Sequence, residues 1–427
     1  LDGFLQVGTV DAVLPAFVFA VLMVCLNGAF GLYRRDRKID FGVYIARLFL
    51  ALLIGAPISY AVAELLPGGD RFQYTLGIAV ILAFAGLIVV RRVLVVPLVR
   101  TLLPHRVLVL GTGPDARVVE ASLAAADPPG MRVVGFYPLE KVRENVISSG
   151  PVVAAGISLY DTIRNLEVNE IIVAVREQRG GVLPLRALLD CRLAGVQVTD
   201  LARFFERVHG RIPIATLKAS WLIYGRGFRQ TWLRALVKRT FDVVVSMLLL
   251  VLMLPVIAVT ALLIMLELDG PVVYRQERVG RLGKPFTVLK FRSMRKDAEK
   301  DGKPAWAEAD DVRVTRLGRL LRRSRIDELP QLINVLRGEM SFVGPRPERP
   351  AFVAMLTEQI PFYAVRHSVK PGITGWAQVR YSYGATVEQA AKKLEYDLYY
   401  VKNHSLFLDL LILLETVRVV LLGEGAR

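Results

Sequence analysis

Histidine and cysteine are nearly absent from this chain: four of the first and two of the second in 427 residues. Cys25, inside an apolar run, and Cys191, in a more polar stretch, lie too far apart for a disulfide framework or a cysteine metal site, and a reducing compartment suits both. Internal repeats, low-complexity tracts, zinc fingers and RNA-recognition signatures are missing as well. Acidic residues are outnumbered, 39 Asp and Glu against 55 Lys and Arg, for a net charge of +16. Such an excess attracts polyanions. With 53% hydrophobic residues and a positive mean hydropathy, the expected partners are membrane lipids and phosphorylated substrates, with no nucleic acid. The chain opens at Leu1 with no basic region ahead of its first apolar run, so a cleaved signal peptide is not expected, and a truncated N-terminus is.

Long hydrophobic runs are abundant. Val13 to Tyr33, Val43 to Leu66 and Tyr74 to Val99 each approach the roughly 20 residues that cross a bilayer. Arg34-Arg35-Asp36-Arg37-Lys38 follows the first, Arg91, Arg92 and Arg100 close the third, and the loop at Pro67-Gly68-Gly69-Asp70 carries no cluster. Basic ends stay in the cytoplasm. That orientation leaves Leu1 outside, implies one more helix upstream, and places everything after Arg100 in the cytoplasm.

From His105 the texture changes to short β-rich runs, Val107 to Leu110, Val133 to Phe136, Val152 to Ala155, Ile171 to Val175 and Val196 to Val198, alternating with helical ones. This rhythm predicts a Rossmann-like α/β domain over 105–203. A connector is expected over 204–237, including Trp221 and Tyr224. Gly111-Thr112-Gly113-Pro114-Asp115-Ala116 follows the first strand as a dinucleotide-binding loop would. Pro114 removes an amide donor, and Phe136-Tyr137-Pro138 lacks the acidic residue that would hold a ribose. We therefore read this domain as having no working cofactor site.

Residues 241–268 form a fourth apolar run, broken by Pro255. As an ordinary spanning helix it would send the rest of the chain outside, yet that remainder is dense in Arg and Lys, which resists export. A helix bent at Pro255 that enters and leaves on the cytoplasmic side reconciles length with charge. After it, Leu406 to Leu422, interrupted by Asp409, Glu415 and Arg418, reads as an interfacial or packing helix.

The chemistry-bearing segments lie between these two runs. In Arg322-Arg323-Ser324-Arg325-Ile326-Asp327-Glu328-Leu329-Pro330, Pro330 is tolerated only in the first turn of a helix, so Asp327 belongs at or next to a helix N-terminus. Alone, the segment equally suits a capping aspartate beside solvated arginines. Its neighbours add to it. Arg313, Arg316, Arg319 and Arg322 recur every third residue, a basic amphipathic pattern suited to an anionic membrane. Gln276 to Gly280, Lys290 to Met294 and Gly344-Pro345-Arg346-Pro347 add further cations. Phosphoryl transfer needs mainly positioning and positive charge around oxygens.

Lys290-Phe291-Arg292-Ser293-Met294, Asp327-Glu328-Leu329-Pro330, Ser341-Phe342-Val343-Gly344-Pro345-Arg346-Pro347 and Lys370-Pro371-Gly372-Ile373-Thr374-Gly375-Trp376-Ala377-Gln378-Val379 resemble the signature segments of the monotopic phosphoglycosyl transferases, the bacterial sugar transferase family. The resemblance runs from about Lys238 to the C-terminus, and Tyr399 to Ser405 fits the exopolysaccharide branch. It implies three parts: a transmembrane helical bundle over 1–100, the Rossmann-like middle domain, and a mostly α monotopic catalytic domain over 238–427 with a re-entrant membrane helix.

The implied reaction moves a sugar-1-phosphate from a UDP-sugar to undecaprenyl phosphate, releasing UMP, at the bacterial inner membrane. It would begin exopolysaccharide or O-antigen synthesis. Asp327 is the implied nucleophile, forming a phosphosugar-aspartate, and Glu328 its orienting partner, both at the Mg²⁺. Lys290, Arg292, Arg322, Gly344, Pro345 and Arg346 are the implied substrate-binding residues. A homodimer is left open. The alternative is a nucleotide-binding membrane sensor, which loss of either acidic residue would have favoured; both are present.

Overall fold

The computed structural model describes residues 13–29, 32, 41–66, 69–98, 104–126, 131–139, 150–154, 156–175, 183–217, 228, 231–267, 270–295, 313–381 and 386–422. The chain divides into two units, Leu1–Val208 and His209–Arg427.

The first unit opens with α1 (Val13–Ala29), α2 (Phe41–Ala63) and α3 (Gly69–Val89), the last continuing through a π-helical turn at Val90–Val95. Met23, Tyr44, Leu48, Ala51 and Leu52 form their shared core. The stretches Tyr44–Ala63 and Thr75–Leu98 are long and apolar enough to cross a membrane. At 17 residues, α1 is shorter than the run read from sequence. Arg91 lies within the π-helical turn, its guanidinium over the Tyr44 ring at 4.1 Å. The basic cluster Arg34 to Lys38, Arg100, and Trp221 and Tyr224 of the connector lie outside the described residues.

Next comes a four-stranded parallel sheet of β1 (His105–Leu110), β2 (Met131–Tyr137), β3 (Glu170–Val173) and β4 (Gln197–Asp200), in the order β2-β1-β3-β4. Helices α4 (Pro114–Ala126), α5 (Leu159–Asn165), α6 (Leu185–Leu193) and α7 (Leu201–His209) accompany it. Side chains alternate faces along a strand. Leu108, Leu110 and Ile171 accordingly join Ile163, Leu188 and Cys191 in one core, while Val107, Val109 and Ile172 join Ala116, Val119 and Phe204 in another. A sheet covered on both faces explains why these strands read as continuous apolar runs.

Two sequence boundaries shift. Val152 makes an isolated bridge to Phe136, so residues 152–154 are not a full strand, and Ala155 lies outside the described residues. Phe204 and Phe205 are core residues on α7, so the connector begins later than residue 204. Glu170 is fully buried at the start of β3. It is held by His105 Nε2 at 2.9 Å, Arg207 Nη2 at 2.6 Å and the Thr199 hydroxyl at 2.7 Å. Burial alone would raise its pKa, but these partners prevail and hold it at about 2.

In the second unit, Ile212 is wholly buried among Leu217, Tyr363, Leu394 and Leu398. Helices α8 (Trp232–Leu252) and α9 (Leu254–Glu267) meet at a 62° bend. Met253 separates them, and Pro255 stands at the second position of α9, where a missing amide hydrogen costs nothing. Their outward residues, among them Met247, Leu248, Val251, Leu262, Met265 and Leu266, are apolar and exposed, while Asp242, Ser246 and Thr260 are buried. This is a soluble helix turned inside out, the pattern suited to a lipid surroundings.

A hairpin of β5 (Val273–Val279) and β6 (Pro285–Phe291) follows, then α10 (Arg316–Arg323), α11 (Gln331–Arg337), β7 (Ser341–Val343), α12 (Pro350–Gln359), β8 (Gly372–Thr374), α13 (Trp376–Arg380), α14 (Val387–Asn403) and α15 (Leu406–Leu422). Strands β7 and β8 pair in parallel. The basic helix starts at Arg316, capped by the Thr315 hydroxyl, so Arg313 precedes it. Helix α15 is a packing helix: Asp409 is buried 2.7 Å from Lys238 Nζ and 2.7 Å from the Tyr400 hydroxyl.

Candidate active site

The acidic pair stands on a separate short turn, Ile326–Glu328, between α10 and α11, rather than on the first turn of α11 itself. Arg325 makes this break, in the left-handed region at φ 59°, ψ 14°. A side chain there costs on the order of 1 kcal/mol, a strain common at functional turns. Pro330 then occupies the N-cap position of α11, as its missing amide hydrogen allows.

Both carboxyls are buried, Asp327 at 7% exposure and Glu328 at 6%. Three cations converge on one oxygen of Glu328. Oε1 lies 2.9 Å from Arg346 Nη2, 3.3 Å from Lys290 Nζ and 3.6 Å from Arg325 Nη1. Burial would push Glu328 up, but Arg346, Lys290 and Arg325 together hold it well below the usual carboxylate range. Asp327 has the opposite balance. Burial and the Glu328 charge raise its pKa against the pull of Lys290, Arg346 and Arg322, and its Oδ1 is buried with no hydrogen-bond partner. An unpaired buried carboxylate oxygen is costly to keep. The turn therefore carries one carboxylate neutralised by cations and one with an unpartnered oxygen.

The remaining residues foreseen from sequence divide into groups. Lys290, on β6, and Arg346, after β7, reach the pair directly. Burial lowers the Lys290 ammonium against the attraction of Glu328. Arg322, in the last turn of α10, donates from Nε to Ser293 Oγ at 3.0 Å, and its charge is felt at Asp327. Arg292 turns elsewhere: its guanidinium lies over Gly270, where an added Cβ would fall 3.1 Å from Cζ. Gly344 and Pro345 act through their backbones. Gly344 N donates to Thr374 O at 2.9 Å and Pro345 O accepts from Gly372 N at 3.0 Å. A Cβ on Gly344 would lie 2.9 Å from Gly372 N, so glycine is what lets these two segments touch.

Arg278, read from sequence as one of the neighbouring cations, and two residues that the sequence reading did not single out, Arg366 and Asp397, complete the surroundings. Arg278, on β5, donates to Pro347 O at 3.1 Å and to Gln276 Oε1 at 2.6 Å. Arg366 and Asp397 form a buried ion pair at 2.7 Å behind Arg346. Arg325 was visible as a cation two residues before Asp327, but only its left-handed backbone turns it toward Glu328. No cluster of three or more histidine, cysteine or acidic groups fit to hold a metal occurs among the described residues. The acidic pair could contribute to a cation that takes most of its ligands from a substrate. Asp327 Oδ1 is buried without a hydrogen-bond partner, whereas Glu328 Oε1 is engaged by three cations.

A family described as bacterial sugar transferase matches residues 233–423, which include every residue of this site. A UDP-glucose:undecaprenyl-phosphate glucose-1-phosphate transferase of Klebsiella pneumoniae is 31% identical over 426 residues, covering 95% of this chain and 88% of that protein. A UDP-N-acetylgalactosamine-undecaprenyl-phosphate N-acetylgalactosaminephosphotransferase of Aeromonas hydrophila is 43% identical over 242 residues, 57% of this chain and 56% of that one. A UDP-glucose:undecaprenyl-phosphate glucose-1-phosphate transferase of Escherichia coli is 47% identical over 184 residues, 43% of this chain and 39% of that one. The chain thus matches about half the length of the latter two relatives.

Proposed function

Since the chain belongs to the bacterial sugar transferase family, we propose that it transfers a sugar-1-phosphate from a UDP-sugar to undecaprenyl phosphate, releasing UMP, at the cytoplasmic face of the inner membrane. This would be the first membrane step in making an exopolysaccharide or O-antigen. The relatives' names differ in the sugar. The observation that carries the reading is the contrast within the acidic pair: Glu328 is neutralised by three cations, while Asp327 Oδ1 beside it is unpartnered.

In this reading an oxygen of Asp327 attacks the β-phosphorus of the UDP-sugar. The new bond is an acyl phosphate, the bond to the bridging oxygen breaks, and UMP leaves with the electron pair. A phosphate oxygen of undecaprenyl phosphate then attacks the same phosphorus and frees the Asp327 carboxylate. A raised pKa makes the ionised carboxylate a better nucleophile, and Lys290, Arg346 and Arg322 keep its ionised form accessible while neutralising diphosphate oxygens. Glu328 holds Arg346 and Lys290 in place. Mg²⁺, when bound, would supply further positive charge at the diphosphate. Such an ion uses few protein ligands and several from phosphate and water, which suits a site where Asp327, with a lesser share from Glu328, would hold it.

The bent pair of α8 and α9 fits a re-entrant segment. Charges in the first turns of α8, Arg234, Lys238 and Arg239, and after α9, Arg275, Arg278 and Arg281, all resist translocation. The test is direct: incubate the purified chain with Mg²⁺, undecaprenyl phosphate and a panel of UDP-sugars, and measure UMP. Release with at least one sugar, abolished in a folded Asp327→Asn variant, is expected. Turnover by that variant would remove Asp327 as nucleophile, and no release with any UDP-sugar would remove the reaction.

A further inference from the structure

Helix α14 lies outside the acidic turn and outside the Arg346 turn, yet it grips the latter at both ends. At the first end, the Tyr400 hydroxyl contacts Val343 O at 2.9 Å. At the other, Asp397 Oδ2 holds Arg366 Nη2 at 2.7 Å, and the same nitrogen donates to Arg346 O at 3.0 Å. Asp397 and Tyr400 are three residues apart, so they share one face of the helix. A third contact steadies the guanidinium, since Arg366 Nη1 donates to the Tyr363 hydroxyl at 2.8 Å. Arg366, Asp397, Tyr363 and Tyr400 are all nearly inaccessible.

A buried arginine and aspartate bring a desolvation cost that a hydrophobic pair would avoid. Here the fork is used for something an apolar group cannot do. It fixes a backbone carbonyl of Arg346, which makes the shortest of the three cation contacts to Glu328. Arg346 is held at two points, by Arg366 at its carbonyl and by Glu328 at its guanidinium 2.9 Å away. With both fixed, the direction of its side chain across the site is set.

We propose that Arg366, locked by Asp397 and Tyr363, is a positioning residue that aims Arg346 at the donor diphosphate. The proposal rests on the reading of the site as a phosphoglycosyl transferase centre. Arg366 itself touches no reacting atom in this account. Loosening it should weaken capture of the UDP-sugar and slow attack by Asp327, and leave capture of the polyprenyl phosphate alone.

The experiment uses the full-length protein with Arg366→Lys, which keeps the charge opposite Asp397 but is shorter and has one terminal nitrogen where the planar fork uses two, Nη2 on Asp397 and Arg346 O and Nη1 on Tyr363. Steady-state kinetics are measured with each substrate varied, alongside a melting curve. The expected result is a donor KM raised at least fivefold and kcat lowered about tenfold, with the acceptor KM unchanged within twofold. A lesion of folding alone would lower kcat in proportion to the folded fraction and leave both KM values as they were, and that outcome overturns the proposal. If Arg366→Lys does not fold, Tyr363→Phe carries the test, with a smaller rise in donor KM expected and an unchanged value counting against it. Wild-type turnover is recorded first. An inactive wild type would reject the proposed reaction, whereas an active wild type with an unaltered Arg366→Lys variant would reject this role of Arg366 alone.

Discussion

Glu328 Oε1 lies 2.9 Å from Arg346 Nη2, which ties the acidic turn to a second turn 18 residues later. The pair sets the charge state of the site, because the Glu328 carboxylate that anchors Arg346 also raises Asp327.

A pH dependence follows. Asp327 must be ionised to attack, and burial together with Glu328 places its pKa above the ordinary aspartate value. Activity should fall as the pH drops through that raised value. Glu328→Gln removes the negative neighbour and leaves Lys290 and Arg346 positive, so the acid limb of the single-turnover rate should move to lower pH. The rate on its plateau should fall about 100-fold as Arg346 loses its anchor. An acid limb that stays in place, or moves up, would show that Glu328 does not control Asp327.

Gly111→Ala should destabilise the first unit without touching chemistry. Gly111 sits at φ +115°, and an added Cβ would fall 2.9 Å from Ala174 O. A loss of about 2 kcal/mol is expected from the strained backbone together with the clash. Limited proteolysis should cut the variant faster within 105–208, while UMP release per folded molecule stays at the wild-type value. Saturable dinucleotide binding lost in the variant would show that the glycine loop serves a ligand instead.

Ile212 lies upstream of the family match at 233–423, yet it is wholly buried in the second unit's core. Ile212→Ala should cost about 3 kcal/mol. All four tryptophans, Trp221, Trp232, Trp306 and Trp376, follow residue 208, so intrinsic tryptophan fluorescence reports this unit selectively. A lowered denaturation midpoint by that signal is expected. An unchanged one would mean that the segment before residue 233 is dispensable to the fold.

Topology can be read by cysteine labelling in intact cells, in a background lacking Cys25 and Cys191. Thr231→Cys and Pro271→Cys sit at exposed positions flanking the bent pair α8 and α9. Both should resist an impermeant thiol reagent and react once the membrane is opened. Labelling of position 271 alone from outside would make the pair an ordinary span and put the active site on the wrong face.

The sequence by itself determined many of the elements and pointed to the acidic pair. Apolar run length found α2, α3 and the bent pair, alternating β-rich runs found the parallel sheet, and Pro330 placed Asp327 beside a helix start. All of these depend on neighbours within one or two turns of chain. The sheet's two cores were not legible, because strands buried on both faces lose the period of two, and Phe204 accordingly seemed part of a connector. Only the tertiary structure decided which cations serve the site. Lys290, Arg292, Arg322 and Arg346 look equivalent as letters. The fold sends Lys290 and Arg346 to Glu328, Arg322 to Ser293 and Arg292 to Gly270. It also made Gly344 a point of backbone contact and brought Asp397, 51 positions after Arg346, behind that arginine through Arg366. The reason is physical: a long charged side chain can point in many directions, and what selects one is desolvation and pairing with groups remote in sequence, which no local pattern encodes.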